Sequence, residues 1–267
     1  MKPKVIVLTG YGINCDEEMK FAFDLVGADT EIIHVRDLID KKKNLDDYNI
    51  LAFPGGFSFG DDTGSGKAFA SLVKNNLWTE LQNFINKKSL IIGVCNGFQI
   101  MVALGLLPAT NKNYGTAEVS LEHNNSARYI NRWIDLEVTS NSPWLKNINT
   151  ISVPIAHGEG KFYAPNDILE KIKENNLIAL KYCKGDICAS EGLEMNPNGS
   201  LEDIAGITDV SGRFIGMMPH PERALFFTNR PDWTLLKEKY KREGKELPKY
   251  IDAIKIFQNA MDYFKED

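Results

Sequence analysis

The stretch "SLIIGVCNGFQIMVALGLLP", Ser89 to Pro108, holds one cysteine between two glycines, in the order Gly93-Val94-Cys95-Asn96-Gly97. Leu90 to Val94 is apolar at every position, which suits a central strand of a parallel sheet buried on both faces. From Gly97 to Leu104 the apolar residues follow a helical pattern, so Cys95 falls where a strand gives way to a helix. Open α/β sheets place their sites at such carboxyl ends. Gly93 and Gly97 leave room for a sharp turn around an exposed side chain, the geometry of a nucleophile elbow with cysteine in place of serine. The helix N-terminus points its amides at the sulfur and favours the thiolate. An isolated cysteine is more often a small buried hydrophobe. The paired glycines at a strand–helix junction turn the balance toward a nucleophile.

Outward from this point, the chain between Lys4 and Leu104 alternates short β-branched runs with amphipathic stretches, the pattern of a parallel sheet covered by helices. Strands are expected at Val5–Thr9, Thr30–Val35, Ile50–Phe53 and Leu90–Val94. Helices are expected at Glu17–Val26, Lys67–Lys74, Leu77–Asn86 and Gly97–Leu104, the first capped by Asn14 or Asp16. After Pro108 the rhythm changes. Ala117–Leu121, Trp133–Thr139, Ile151–Ile155, Ile204–Asp209 and Phe214–Met218 read as further strands and Asp167–Asn175 as a helix, a mixed or antiparallel extension of the first sheet. Ile251, Ile254, Phe257, Met261 and Phe264 recur at helical intervals, so Ile251–Phe264 is expected to pack back as an amphipathic helix. No repeat or linker interrupts the chain, and a single domain over 1–267 is expected, with 225–267 as a C-terminal helical extension.

Composition narrows the partners. With 267 residues, 43% hydrophobic and 25% charged, the chain can bury a full core. Its net charge of −5 supplies no basic field for nucleic acid or an anionic membrane, and its longest basic run, Lys41–Lys43, reads as a solvated loop. No apolar segment approaches the ~18 residues of a membrane span. A cytoplasmic location is expected. Four cysteines, Cys15, Cys95, Cys183 and Cys188, form neither a disulfide framework nor a zinc pattern, so no metal is expected.

A nucleophilic thiol needs a base and a group to orient it. In "GMMPHPERA" the proline after His220 biases that residue toward extended backbone, where positions i and i+2 share a face. His220 and Glu222 should then project together as imidazole and carboxylate, completing a Cys95, His220, Glu222 triad. The glycine-rich "FPGGFSFGDDTGSGKA", Phe53 to Ala68, follows another strand. It fails the phosphate-loop pattern because Asp61 and Ala68 stand where glycine and a hydroxyl residue are required. An oxyanion hole from the backbone amide of Gly55 or Gly56, together with that of Asn96, is the better use of this loop, a plain flexible loop being the alternative.

Taken together, Gly93–Gln99, Pro54–Asp61 and Pro219–Arg223 resemble the class I (triad) glutamine amidotransferases, and within them the glutaminase subunits of phosphoribosylformylglycinamidine synthase. His157-Gly-Glu-Gly160, Asn196-Pro-Asn-Gly-Ser200, Met218-Pro-His-Pro-Glu-Arg223 and the early "GINCDEEM", Gly12 to Met19, strengthen the likeness, as does Asn124 to Trp133. The resemblance implies a flavodoxin-like α/β fold with helices on both faces of a largely parallel sheet. It further implies that glutamine is hydrolysed to glutamate and that ammonia passes to a synthetase subunit, with a small accessory subunit as a further partner, in purine biosynthesis. By the same resemblance Cys95 is the nucleophile, His220 the acid/base, Glu222 its orienter and Gln99 a substrate-binding residue. No cofactor is implied for this chain, ATP and magnesium belonging to the synthetase. The loops His157–Gly160 and Asn196–Ser200 become candidates for the docking surface. The alternatives are the glutaminase of another synthetase, a free-standing γ-glutamyl hydrolase, and an interaction module that has kept the fold without the activity.

Overall fold

In the N-terminal third the alternation of apolar runs and amphipathic segments is realised as a parallel sheet; the computed structural model describes residues 2–265, so positions 1, 266 and 267 of the expected domain lie outside the described residues. Strands β1 (Lys4–Thr9), β2 (Asp29–His34), β3 (Ile50–Phe53) and β4 (Leu90–Val94) are joined by helices α1 (Asp16–Leu25), α2 (Val35–Ile39) and α3 (Lys67–Asn86), and α4 (Asn96–Ala103) follows β4. Next come β5 (Ser120–His123), β6 (Ile130–Val138), β7 (Thr150–His157), β8 (Glu159–Tyr163), α5 (Asn166–Glu174) and β9 (Ile178–Cys183). The chain then continues through α6 (Asp186–Glu191), β10 (Ile204–Thr208), β11 (Phe214–Met217), α7 (Trp233–Arg242) and α8 (Ile254–Asp262).

Nine strands form one sheet in the order β2-β1-β3-β4-β11-β10-β9-β6-β7. The first five are mutually parallel, and from β11 onward each neighbour is antiparallel. The mixed extension expected from the sequence is therefore present. From β1 the chain crosses to β2 in one direction, and from β3 it crosses to β4 in the other. Right-handed crossovers then put α1 and α3 on opposite faces of the sheet. All residues of β3, β4, β10 and β11 are buried, as unbroken apolar runs require. β5 and β8 pair separately as a two-stranded sheet.

Several boundaries differ from the sequence reading. α3 is one helix, not two: it buries Phe69, Val73, Leu77, Leu81 and Phe84 along one stripe without interruption. Asn75 and Asn76 do not break it, because each turns its amide back one turn, to Ser71 Oγ (3.2 Å) and Leu72 O (2.8 Å). The cap of α1 is Cys15, with no side-chain capping bond, and Asp16 is already helical and bonded to Thr9 Oγ1 at 2.5 Å. The strand expected at Ala117–Leu121 lies at Ser120–His123. At the C-terminus α8 is shorter than expected, and it buries Ile254, Ile256, Phe257, Ala260 and Met261. Phe257 meets Phe23 of α1 edge-on at 5.1 Å. α7 falls within the expected C-terminal helical extension but was not located there; it buries no residue, and its apolar Trp233, Leu236 and Tyr240 are only half-buried.

Candidate active site

Parallel strands end on one edge of a sheet, so the loops after β1, β3, β4 and β11 converge. Cys95, directly after β4, has φ 53° and ψ −110°, a left-handed and strained conformation for a residue with a side chain. Its flanking glycines are needed for close approach. A Cβ on Gly97 would stand 1.8 Å from Phe53 O, and one on Gly93 would stand 2.5 Å from Met101 Sδ. The strain is held in place by the strand before it and by α4 behind it, and it presents the thiol at the sheet edge.

The base and its orienter lie on the loop after β11. His220 Nδ1 and Glu222 Oε1 are 2.6 Å apart, and both residues are almost wholly buried. They meet across a single 3-10 turn, Pro221–Arg223, and not along the extended segment that the proline suggested. Burial opposes charge on His220, yet the carboxylate of Glu222 and the neighbouring Cys95 outweigh it and hold the imidazole well above the usual histidine range. Its Nε2 has no hydrogen-bond partner among the described residues, which leaves that nitrogen open on the side away from Glu222.

The Gly55 region brings these groups together. A Cβ on Gly55 would lie 2.8 Å from His220 Cε1, 3.0 Å from Cys15 Sγ and 3.5 Å from Cys95 Cβ. Gly55, Cys95 and His220 thus share one small volume, and only glycine fits at its wall. Asn96 begins α4, where a backbone N–H has no intrahelical partner. Its side chain is committed elsewhere, accepting from Ser58 N–H (3.2 Å) and donating to Gln99 Oε1 (2.9 Å) and Asp61 Oδ1 (3.2 Å). Gln99 reaches the same rim, but its amide also donates to Glu159 O at 2.6 Å. That makes Gln99 a brace between α4 and the segment after β7.

The antiparallel half contributes backbone. The sheet curls until its far edge strand, β7, returns to the site: His220 N–H donates to Pro154 O at 2.8 Å, and the Cys95 thiol faces Ala156 O at 3.7 Å. His157, at the end of β7, is buried against Asn124 Oδ1 (3.0 Å). Desolvation, with repulsion from His220, pushes its imidazole down to about 4. The loops His157–Gly160 and Asn196–Ser200, expected at the docking surface, are bonded to each other. Asn198 donates to Gly160 O (2.8 Å), Phe162 N–H donates to Ser200 Oγ (3.0 Å), and His157, Asn198 and Ser200 are buried. Ser200 Oγ donates to Asn198 Oδ1 at 2.8 Å, whereas His157 Nε2 has no partner among the described residues.

Two participants were missed in the sequence. Cys15 is buried beside His220, and its sulfur accepts from Arg223 Nη2 at 2.8 Å. The available signal was position alone, since "GINC" follows a strand and falls on the same sheet edge. Donor atoms of Cys15, His220 and Glu222 lie within 4.8 Å of one another, a set that could suit zinc. Of these atoms the Cys15 sulfur is held by Arg223 and Glu222 Oε1 by His220 Nδ1, while His220 Nε2 and Glu222 Oε2 have no partner among the described residues.

A thiol at a strained elbow, an imidazole–carboxylate pair and a glycine wall are the groups that a cysteine-dependent acyl-transfer site requires. Residues 2–264 match the CobB/CobQ-like glutamine amidotransferase domain, and the chain belongs to that family. Phosphoribosylformylglycinamidine synthase subunit PurQ of Methanococcus maripaludis is 48% identical, over 99% of this chain and 98% of its own. The structure of PurLQS from Thermotoga maritima superposes with a TM-score of 0.71 at 29% identity, covering 99% of this chain and 100% of the matched one. A second Thermotoga maritima glutamine amidotransferase, at 14% identity and a TM-score of 0.50 over 99% of this chain and 93% of its own, shares the fold.

Proposed function

We propose that this chain is the glutaminase subunit of a phosphoribosylformylglycinamidine synthase, hydrolysing glutamine to glutamate and delivering ammonia to a synthetase subunit. The observation that carries this reading is the convergence of Cys95, at its strained turn, with the buried His220–Glu222 pair, in a chain similar to PurQ over its whole length. Cys95 Sγ attacks the side-chain amide carbon of glutamine. The amides of Asn96 and of Gly55 or Gly56 hold the oxygen of the tetrahedral intermediate, and such donors are each worth ~10²–10³ in rate. His220 protonates the departing nitrogen, so ammonia leaves and a glutamyl thioester remains. It then takes a proton from water, whose oxygen attacks the thioester and releases glutamate and the Cys95 thiolate. Glu222 fixes the tautomer of His220 and stabilises its charged form.

ATP and magnesium serve the synthetase in this scheme, and a small accessory subunit completes the assembly. Docking falls on the aromatic rim of the site. Tyr11, Phe57, Phe59 and Tyr129 are exposed, with Phe57 stacked toward Tyr129 at 6.3 Å and Tyr11 toward Phe59 at 5.7 Å. Exposed aromatic residues at the mouth of a site are typical anchors of a protein interface. Glutamate release, measured for the purified chain and again during titration with the synthetase and its nucleotide, tests the reading. Low release alone and a strong rise on assembly are expected. Full turnover in the isolated chain, unchanged by the partner, would point to a free-standing glutamyl hydrolase.

A further inference from the structure

The loop after β1 makes contacts that the triad does not explain. Gly12 to Cys15 lies antiparallel to the glycine loop after β3: Phe57 N–H donates to Gly12 O (2.8 Å), and Phe59 N–H donates to Tyr11 O (2.9 Å). In return Asn14 N–H and Cys15 N–H both donate to Gly55 O, at 3.2 and 3.1 Å. The two backbones approach as closely as glycine permits. A Cβ on Gly12, whose φ is +85°, would stand 2.1 Å from Phe57 O, and one on Gly56 would stand 2.7 Å from Gly12 O.

A trans peptide points its N–H opposite to its C=O. With the Gly55 carbonyl held by two donors from Asn14 and Cys15, the N–H of Gly56 is fixed on the opposite side of the same plane. The other end of the strap is fastened as well. Cys15 Sγ is gripped by Arg223 Nη2 at 2.8 Å, and Arg223 closes the turn that carries His220 and Glu222, its own N–H donating to His220 O at 3.3 Å. One short segment therefore touches both the candidate oxyanion peptide and the loop of the base.

We propose that Gly12–Cys15 is a strap that sets the Gly55–Gly56 peptide against the triad, and that Cys15 and Arg223 are positioning residues for it. The inference rests on the reading of Cys95 as nucleophile and of the glycine loop as oxyanion hole. Preorganised donors accelerate a reaction only when aimed at the charge that develops. The elbow of Cys95 and the His220–Glu222 bond are made without the strap's side chains, so a loosened strap chiefly misaims the donor. The loss belongs to the transition state and not to substrate binding.

Cys15→Ala, Cys15→Ser and Arg223→Met in the assembled synthase test this, with Cys95→Ser as control. For Cys15→Ala and Arg223→Met, glutamine-dependent kcat should fall about tenfold to a hundredfold, with KM within about twofold, short of the ~10²–10³ for outright loss of a donor. Cys15→Ser, which keeps an acceptor for Arg223, should recover part of the loss. The rate at which iodoacetamide alkylates Cys95, followed by peptide mass mapping, should stay within about twofold of the parent, because the triad is intact. Unchanged kcat in both Cys15→Ala and Arg223→Met overturns the strap. So does a rise in KM that accounts for the loss, or a parallel fall in Cys95 alkylation. An active Cys95→Ser control would instead overturn the underlying assignment of the nucleophile, so the two failures are distinguishable.

Discussion

Strands β2, β1, β3, β4 and β11 run parallel, and the loops that follow β1, β3, β4 and β11 carry Cys15, the glycine wall, Cys95 and the His220–Glu222 pair. Strands β10, β9, β6 and β7 run antiparallel, and what they bring to the same centre is chiefly main chain, the carbonyls of Pro154 and Ala156 at the curled end of β7. The difference follows from strand direction. In the parallel half every chain leaves the sheet at one edge, so each new loop can add a functional group to one place. In the antiparallel half successive chain ends alternate between edges, and much of the sequence is left to build and brace the wall.

The sharpest test of this division is Cys95→Ser. Glutamine-dependent synthesis should fall by at least ~10³-fold while ammonia-dependent synthesis by the assembled complex persists, since the thiol serves only to liberate ammonia. Normal glutamate release by that variant would remove the chemistry from the parallel half. Next in size, His220→Ala should cost ~10²–10⁴ in kcat and Glu222→Gln distinctly less, because one moves the proton and the other orients it. An inverted order in steady-state kinetics would mean that another group orients the imidazole.

Ile134→Ala probes the other half. Ile134 is completely buried in β6, so the substitution should lower stability by ~2–5 kcal/mol in denaturant titration. The kcat/KM of the folded fraction should stay within about twofold. A larger loss of turnover would show that the antiparallel wall does more than support the site.

The smallest effect separates two buried histidines. His157 has its folded value near 4, against an ordinary histidine value of 6.5. Between those two values the unfolded chain binds the proton that the native chain refuses, so stability must fall as the pH drops through this window, by about 3 kcal/mol in full. His220 has the opposite sign. Its contribution is complete below the unfolded value and is lost as the pH rises through its raised folded value. The acid-side slope therefore reports His157, and urea midpoints measured from pH 7 to pH 4 should flatten in His157→Gln. An unchanged slope would assign the acid sensitivity to other groups.

The same contrast decides what could be read from the sequence. Apolar runs buried on both faces marked β3 and β4 within a residue, and the Gly-x-Cys-x-Gly pattern marked the elbow, because each depends only on neighbours along the chain. β8 and β9 went unread, since their pairing depends on strands far away in sequence. Nor was the burial of His157 and Asn198 legible, as it arises where two distant loops fasten to each other. Gln99 stands one helical turn after Cys95, as the sequence spacing predicts, yet its bond to Glu159 O spans 60 positions and only the fold could supply it.

The return of β7 to the site has a consequence for how activity arises during synthesis of the chain. Cys95 and its elbow are local and can form early, but the carbonyls of Pro154 and Ala156 reach the thiol and His220 only after β9, β10 and β11 have filled the gap in the sheet. Pairings that close such long loops come late in folding. On the proposed assignment of Cys95 and His220, a nascent or half-folded chain carries its thiol with no base beside it, and glutaminase activity should appear only when the whole sheet is complete.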